Sequence, residues 1–263
     1  MRFSIIIVTL NAGSKLEETV KSALSQTYKD YEILIKDGAS RDGSLDFLKE
    51  LNAPNIRVVS RKDTSIYDAM NQAVSECLGD YYIFMNTGDL FASNKVLAAV
   101  AKYQAGHSSD IVYGDMRRSD QDVIIPYPDR LTDFGLYRNV PCHQVCFYNK
   151  RLFSQRGYDT SFKVRSDYEH FLWSVYKCKA KTSHIALPIC IYEGGGYSET
   201  KENIKVSARE HKLIVRKYQG SKSVIYDAIM IITLQPLRKL MAESPVFGRL
   251  YQGIKGIIYG KKD

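Results

Sequence analysis

Four short apolar runs near the start of the chain each end at a polar or acidic turn. This repetition restricts the fold more than any other feature. Residues 3–10 run into Asn11 and residues 31–36 into Asp37 and Gly38; residues 56–59 lead to Arg61, Lys62 and Asp63, and residues 80–85 to Asn86, Thr87, Gly88 and Asp89. Runs this short and this continuously apolar read as parallel strands covered on both faces. Between them, residues 15–26, 44–51, 66–78 and 93–103 carry helical spacing. Leu16, Val20, Ala23 and Leu24 share one face of the first, and Ser93 stands where it would N-cap the last. The class is therefore α/β, with a mostly parallel central sheet flanked by helices. In such sheets ligands lie beyond the carboxyl ends of the strands. Asp37, Asp63, Gly88 and Asp89 should meet on one rim, whose carboxylates and glycine turns suit a metal-bridged ligand carrying phosphate.

Beyond residue 110 the order is less regular. Residues 111–115 read as a strand, 123–126 as an edge strand leaving at Pro126 and Pro128, and 142–148 and 188–192 as further strands. Residues 150–156 read as a helical turn, 166–177 as an aromatic-rich helix and 201–218 as a long polar helix. The five cysteines are an odd number without a Cys-x-x-Cys pair, so they read as reduced core residues rather than a zinc or disulfide framework. The apolar start at residues 3–10 reads as a strand rather than a leader, and no run approaches the ~18 apolar residues of a membrane span.

Charge is unevenly placed. Residues 201–263 hold 13 Lys/Arg against 5 Asp/Glu, whereas residues 1–200 hold 24 of each. The whole net charge of +8 thus sits in the tail, which argues against a nucleic-acid-binding body and for a basic appendage that meets something anionic. The tail mixes Val224, Ile225, Ile229, Ile231, Leu237, Leu240, Phe247 and Ile254 with Lys and Arg. An apolar face with a basic rim reads as an interfacial segment on an anionic membrane; the other reading is a helix pair packed on the body or on a second subunit.

The turns have ordinary readings as well as chemical ones. Residues 37–44 form a glycine-punctuated turn where a carboxylate can accept from a base N–H or ribose hydroxyls, or where Asp42 or Ser44 simply caps a helix. Residues 63–71 start a helix on which Asp68 and Asn71 share a face. At 86–89, Asp89 offers a hard divalent ion an oxygen ligand at a strand end, or marks a helix-entry turn.

Taken together, residues 3–44 and 63–91 resemble the family 2 glycosyltransferases of the GT-A (Rossmann-like) fold. The Ile66-Tyr67-Asp68-Ala69-Met70-Asn71 segment and the Asn86-x-Gly88-Asp89 ending are most similar to a subgroup common in bacterial exopolysaccharide and colanic-acid-type clusters. The resemblance spans about residues 3–200, giving a nucleotide-sugar half at 1–115, an acceptor half at 116–200 and a helical basic tail at 201–263. It implies donor contacts from Thr9, Asn11, Asp37, Asp63, Tyr67, Asp68, Asn71, Asn86 and Gly88, and Mg²⁺ or Mn²⁺ on Asp89. It further implies that Asp167 is the general base, with His143, Gln144, Tyr168 and Trp173 on the acceptor side. Gly194, Gly195 and Gly196 resemble a mobile loop over the diphosphate, from which Lys201 would approach phosphate oxygens. Two positions depart from the family pattern: Asp37-Gly38-Ala39-Ser40 replaces a double-acid turn, and Gly88-Asp89 replaces a double-acid metal motif.

The expected reaction is inverting transfer of a sugar from a UDP- or GDP-sugar to a hydroxyl acceptor, a lipid-linked glycan in cell-surface polysaccharide synthesis. The expected location is cytoplasmic, peripheral on the inner face of the cell membrane, with self-association of the chain as a further expected contact. A sugar nucleotidyltransferase and a non-catalytic membrane adaptor are the competing classes. The first lacks a basic glycine-rich loop for a triphosphate near residue 1, and the second has no use for Asp89 or Asp167.

Overall fold

A computed structural model describes residues 1–233. β1 (Phe3–Thr9), β2 (Tyr31–Asp37), β3 (Ile56–Ser60) and β4 (Tyr81–Asn86) alternate with α1 (Lys15–Leu24), a 3₁₀ turn (Asp46–Lys49) and α2 (Ile66–Val74). β5 (Leu90–Phe91), α3 (Val96–Ala105), β6 (Ile111–Arg118) and β7 (Val123–Ile125) follow, then α4 (Asp133–Arg138). A 3₁₀ turn (His143–Val145), β8 (Cys146–Asn149), α5 (Lys150–Gln155), α6 (Ser166–Tyr176) and β9 (Thr182–Tyr192) complete the sheet region. A short 3₁₀ turn (Tyr197–Glu199) leads to α7 (Lys201–Gln219) and α8 (Ser221–Thr233).

The expected α/β class holds. One nine-stranded sheet runs β3-β2-β1-β4-β8-β6-β9-β5, with β7 beside β6. β1 to β4 are parallel, and β8 enters antiparallel between β4 and β6. β1 sits between two partners, so Ile5, Ile6 and Ile7 are buried on both faces, as its continuous β-branched run requires. β3 is the edge and alternates. Register lines up Thr9, Asp37 and Ser60, and pairs Val8 with Asn86, so the carboxyl ends of β1 to β4 form one rim. α1 buries Leu16, Val20 and Ala23 against the sheet.

Several boundaries differ from the pattern-based reading. The helix expected at 93 starts at Val96, because Ser93 Oγ accepts from Lys95 N and closes a turn before the helix begins. The segment 44–51 buries nothing along Asp46–Lys49 and stays a 3₁₀ turn. Only Cys146–Asn149 of the strand expected at 142–148 pairs; His143 and Gln144 turn out of the sheet instead. β9 begins at Thr182, well before Pro188, through parallel pairing with β6.

α7 packs onto the body rather than hanging from it. Ile214 and Val215 are fully buried, Glu210 is enclosed, and Lys217 and the Tyr218 hydroxyl both donate to Glu169 of α6. A left-handed Gly220 (φ 55°) turns the chain into α8, where Tyr226 donates to Asp133 and the Tyr137 hydroxyl donates to Asp227. α7, which opens the expected 201–263 tail, is thus in contact with α6. Residues 234–263, including most of the apolar-basic tail, lie outside the described residues. Among the described residues no helix is long and apolar enough to cross a membrane.

Candidate active site

Two clefts open along the rim and share a wall. The first, of ≈ 680 Å³, is lined by Thr9 and Leu10 after β1, by Asp63 to Ile66 at the entry to α2, and by Asn86, Thr160, Lys163 and Tyr197. The second, of ≈ 380 Å³, holds Tyr67, His143, Gln144, Arg165, Asp167 and Tyr168. Ile66, Asn86 and Tyr197 line both.

Asp63 stands where β3 gives way to α2, and its orientation comes from a residue that pattern reading passed over. Lys36, the one cation in β2, is fully buried. Its Nζ donates to Asp63 Oδ2 at 2.9 Å and to the carbonyls of Asp37 and Arg61. All three ammonium hydrogens are thereby used, which makes burial of the charge tolerable. Asp63 keeps a partly exposed carboxylate on the cleft wall.

Asp37, at the end of β2, lines neither cleft. It is fully enclosed; Ser40 N and Oγ and Ser60 Oγ donate to its two oxygens. Burial pushes its carboxyl up, but the hydroxyls of Ser40 and Ser60 and backbone N–H groups outweigh that and hold it below the usual range. Asp37 thus shapes the 37–40 turn rather than facing the open cleft. In that turn Ala39 adopts φ 69°, a left-handed angle that favours glycine. Asn11 is also tied to the turn, donating from N to Ser40 Oγ and accepting from Arg41 N.

Other expected donor residues also have local partners. Asp68 accepts from Thr64 N and Oγ1 inside its own helix entry. Asn71 is pinned to the backbone of Tyr158 from both ends of its amide and faces a separate cavity. Gly88 (φ 100°) makes the turn, its N–H donating to Thr19 Oγ1. Trp173 lines neither cleft; the Arg156 guanidinium lies 4.6 Å from its ring centre.

Asp167, near the start of α6, is the best-connected group of the second cleft. Tyr67 Oη lies 3.0 Å from its Oδ1, Tyr168 N donates to the same oxygen at 2.8 Å, and His143 Nδ1 lies 3.0 Å from Oδ2. Burial pushes the Asp167 carboxyl up, yet the His143 contact and these donors outweigh it and hold it below the ordinary carboxylate value. It is therefore ionised at neutral pH while still touching the cleft. His143 Nε2 lies 3.2 Å from Asn86 Nδ2, so one imidazole joins Asp167 to the wall common to both clefts. Tyr168 is committed elsewhere, its hydroxyl placed on the carbonyls of Leu136 and Tyr137.

Asp89 lies deeper than a rim residue should. It is 4% exposed, accepts from Asn86 N at 3.0 Å, and burial pushes its carboxyl up to about 6 against the lowering effects of His143, Asn86 and Gln144. Beside it Asn86 Oδ1 is buried without a partner. No cluster of three or more His, Cys, Asp or Glu suited to a metal occurs among the described residues. The Asp89 carboxylate and the Asn86 amide oxygen are donors of the kind a hard divalent ion takes.

Comparison with known proteins agrees with this geometry. Residues 4–173 match the family model described as glycosyl transferase family 2. A "PGL/p-HBAD biosynthesis glycosyltransferase" of Mycobacterium tuberculosis is 32% identical over 224 residues, covering 81% of this chain and 87% of the relative. Chondroitin synthase of Escherichia coli is 28% identical over 181 residues, which are 64% of this chain but 26% of that protein. Among solved structures, S. aureus TarS 1-349 in complex with UDP superposes with a TM-score of 0.69 at 16% identity, covering 93% of this chain and 75% of that one. A mannosyltransferase from Pyrobaculum calidifontis in complex with GDP-Man and Mn²⁺ gives a TM-score of 0.59 at 14% identity, covering 98% and 80%. The family match over residues 4–173 and the 32% identical relative place this chain in glycosyl transferase family 2.

Proposed function

We propose that the enzyme moves a sugar from a UDP- or GDP-sugar to a hydroxyl of a lipid-linked glycan, with inversion, during cell-surface polysaccharide assembly. The observation that carries the reading is the joined pair of clefts, with the ionised Asp167 on one side of Asn86 and Asp63 on the other. TarS structures in complex with UDP and with UDP-GlcNAc, and the GDP-Man complex of the mannosyltransferase, support a nucleotide-sugar donor.

In this reading the base and ribose lie in the cleft of Thr9, Asp63 and Ser65, where the Lys36-oriented carboxylate meets donor N–H or hydroxyl groups. The acceptor enters the second cleft. Asp167 takes the proton from its hydroxyl as that oxygen attacks the anomeric carbon opposite the leaving diphosphate. Tyr67 and His143 hold the carboxylate in place, so that catalysis owes much to positioning. A divalent ion, Mg²⁺ or Mn²⁺, would be held by Asp89 and Asn86 Oδ1; when bound it supplies charge compensation for the diphosphate.

The location proposed is the cytoplasmic face of the membrane. Exposed Val224, Ile225 and Ile231 of α8 and the apolar-basic composition of residues 234–263 support it. Full-length protein should sediment with anionic liposomes and be released as salt rises; retention in the supernatant removes the membrane claim. A panel of UDP- and GDP-sugars, with product analysis, tests the main reading. Release of a nucleoside diphosphate is expected. Release of a nucleoside monophosphate-sugar from any substrate, or no turnover of any donor with lipid-linked acceptors, would overturn it.

A further inference from the structure

The segment between α5 and α6 contains a device that no motif announced. Glu210 of α7 is buried, and its carboxylate accepts from three successive backbone amides: Lys163 N at 2.6 Å, Val164 N at 3.0 Å and Arg165 N at 2.9 Å. On the same three residues, Val164 O lies 2.7 Å from the Tyr67 hydroxyl, whose single proton is shared between that carbonyl and Asp167 Oδ1. A short loop is thus gripped from both sides, by a helix late in the chain and by the tyrosine that also touches Asp167.

The side chains so presented are cationic and uncompensated. Lys163 is exposed on the wall of the first cleft, and Arg165 stands in the second. Arg165 Nε donates to Ser207 Oγ and its guanidinium lies 5.4 Å from the Tyr168 ring centre. Among the described residues neither has a carboxylate side chain as partner. Three other cations near the rim are paired with carboxylates, Lys36 with Asp63, Lys15 with Glu193 and Arg118 with Asp120, and Arg41, Arg61 and Lys62 line neither cleft. Lys201, expected to approach phosphate, lines neither cleft. A leaving nucleoside diphosphate carries more negative charge than one divalent ion cancels, and it has to lie where the clefts join.

We propose that Lys163 and Arg165 form a cationic clamp on the donor diphosphate at that junction, and that Glu210 is the positioning residue that holds the clamp from α7. The inference rests on the nucleotide-sugar reading and names further binding residues for it.

The test is calorimetry of UDP, GDP, uridine and guanosine binding to the full chain, in EDTA and again with Mn²⁺. Lys163→Met and Arg165→Met should each weaken diphosphate binding about five- to twentyfold, the range for a partly exposed charged contact, and leave the matching nucleoside unchanged. Lys163→Arg should recover most of the loss. Glu210→Gln, which keeps size but cannot accept all three amides, should weaken the diphosphate and shrink the further effect of Lys163→Met, since the two act as one unit. Variants that bind UDP and GDP like the parent, or that lose nucleoside binding equally, overturn the clamp while leaving the donor reading intact. A parent that binds neither diphosphate removes the donor reading, and the clamp with it.

Discussion

Replacing Asp167 by Asn changes one atom at the centre of the second cleft, and the structure says what each neighbour will do. Tyr67 Oη and Tyr168 N both meet Oδ1, and an amide oxygen still accepts there. His143 Nδ1 meets Oδ2, where the Asn amide now donates; moving the imidazole proton to Nε2 would accommodate it only by setting that N–H against the Asn86 amide nitrogen. One charge-assisted hydrogen bond is weakened, so the fold should lose about 1–2 kcal/mol at neutral pH. Because the parent carboxyl is held below its unfolded value, its contribution is present above about pH 4 and lost as pH falls through the lower folded value. The stability gap between parent and variant should accordingly close on acidification. Catalysis should suffer far more: an amide cannot take the acceptor proton, and turnover should drop by about 10²–10⁴, or roughly 3–5 kcal/mol in barrier. Initial rates of nucleoside diphosphate release with donor and acceptor present measure this, alongside calorimetric UDP or GDP affinity, which should stay parental. Turnover near the parental rate would refute the assignment, and loss of nucleotide binding would show that Asp167 supports the donor cleft instead.

Three further outcomes follow from buried groups. Asp89, pushed up to about 6, favours its protonated form in the fold; that advantage is full below the unfolded value and fades as pH rises through 6. Asp89→Asn in EDTA should therefore unfold later than the parent at pH 8, by about 1–3 kcal/mol, with no advantage at pH 4, while losing any Mn²⁺ enhancement of nucleotide binding. Equal enhancement in both proteins would take Asp89 out of the cation site. Lys36→Met strands Asp63 and two carbonyls and should cost about 2–4 kcal/mol in urea unfolding; an unchanged midpoint would contradict the buried pair. Ala39→Gly relieves a left-handed alanine and should stabilise by about 0.5–1 kcal/mol; destabilisation would place Ala39 outside that angle.

What the sequence determined by itself was the sheet and the rim. Continuous burial on both faces of a central strand calls for a mostly apolar run, so residues 3–10 and 31–36 could be read as strands from near neighbours alone. Turn chemistry is also local, and it led to Asp63, Asn86 and the edge of the clefts. Only the tertiary structure decided which polar groups face ligand and which are consumed by the fold. Asp37 and Asp68 are carboxylates like Asp63 and Asp167, and Asn71 is an amide, but each of the three has hydrogen-bond partners within the fold that the sequence did not reveal. Lys36 was visible as a charge in an apolar strand, although its partner lies 27 residues away. Glu210 gave no signal on an exposed-looking helix, because the amides it binds are 45 to 47 positions earlier. Hydrophobic spacing reports whether a residue leaves water. The pairing of hydrogen-bond partners depends on segments brought together by folding, and no local pattern encodes it.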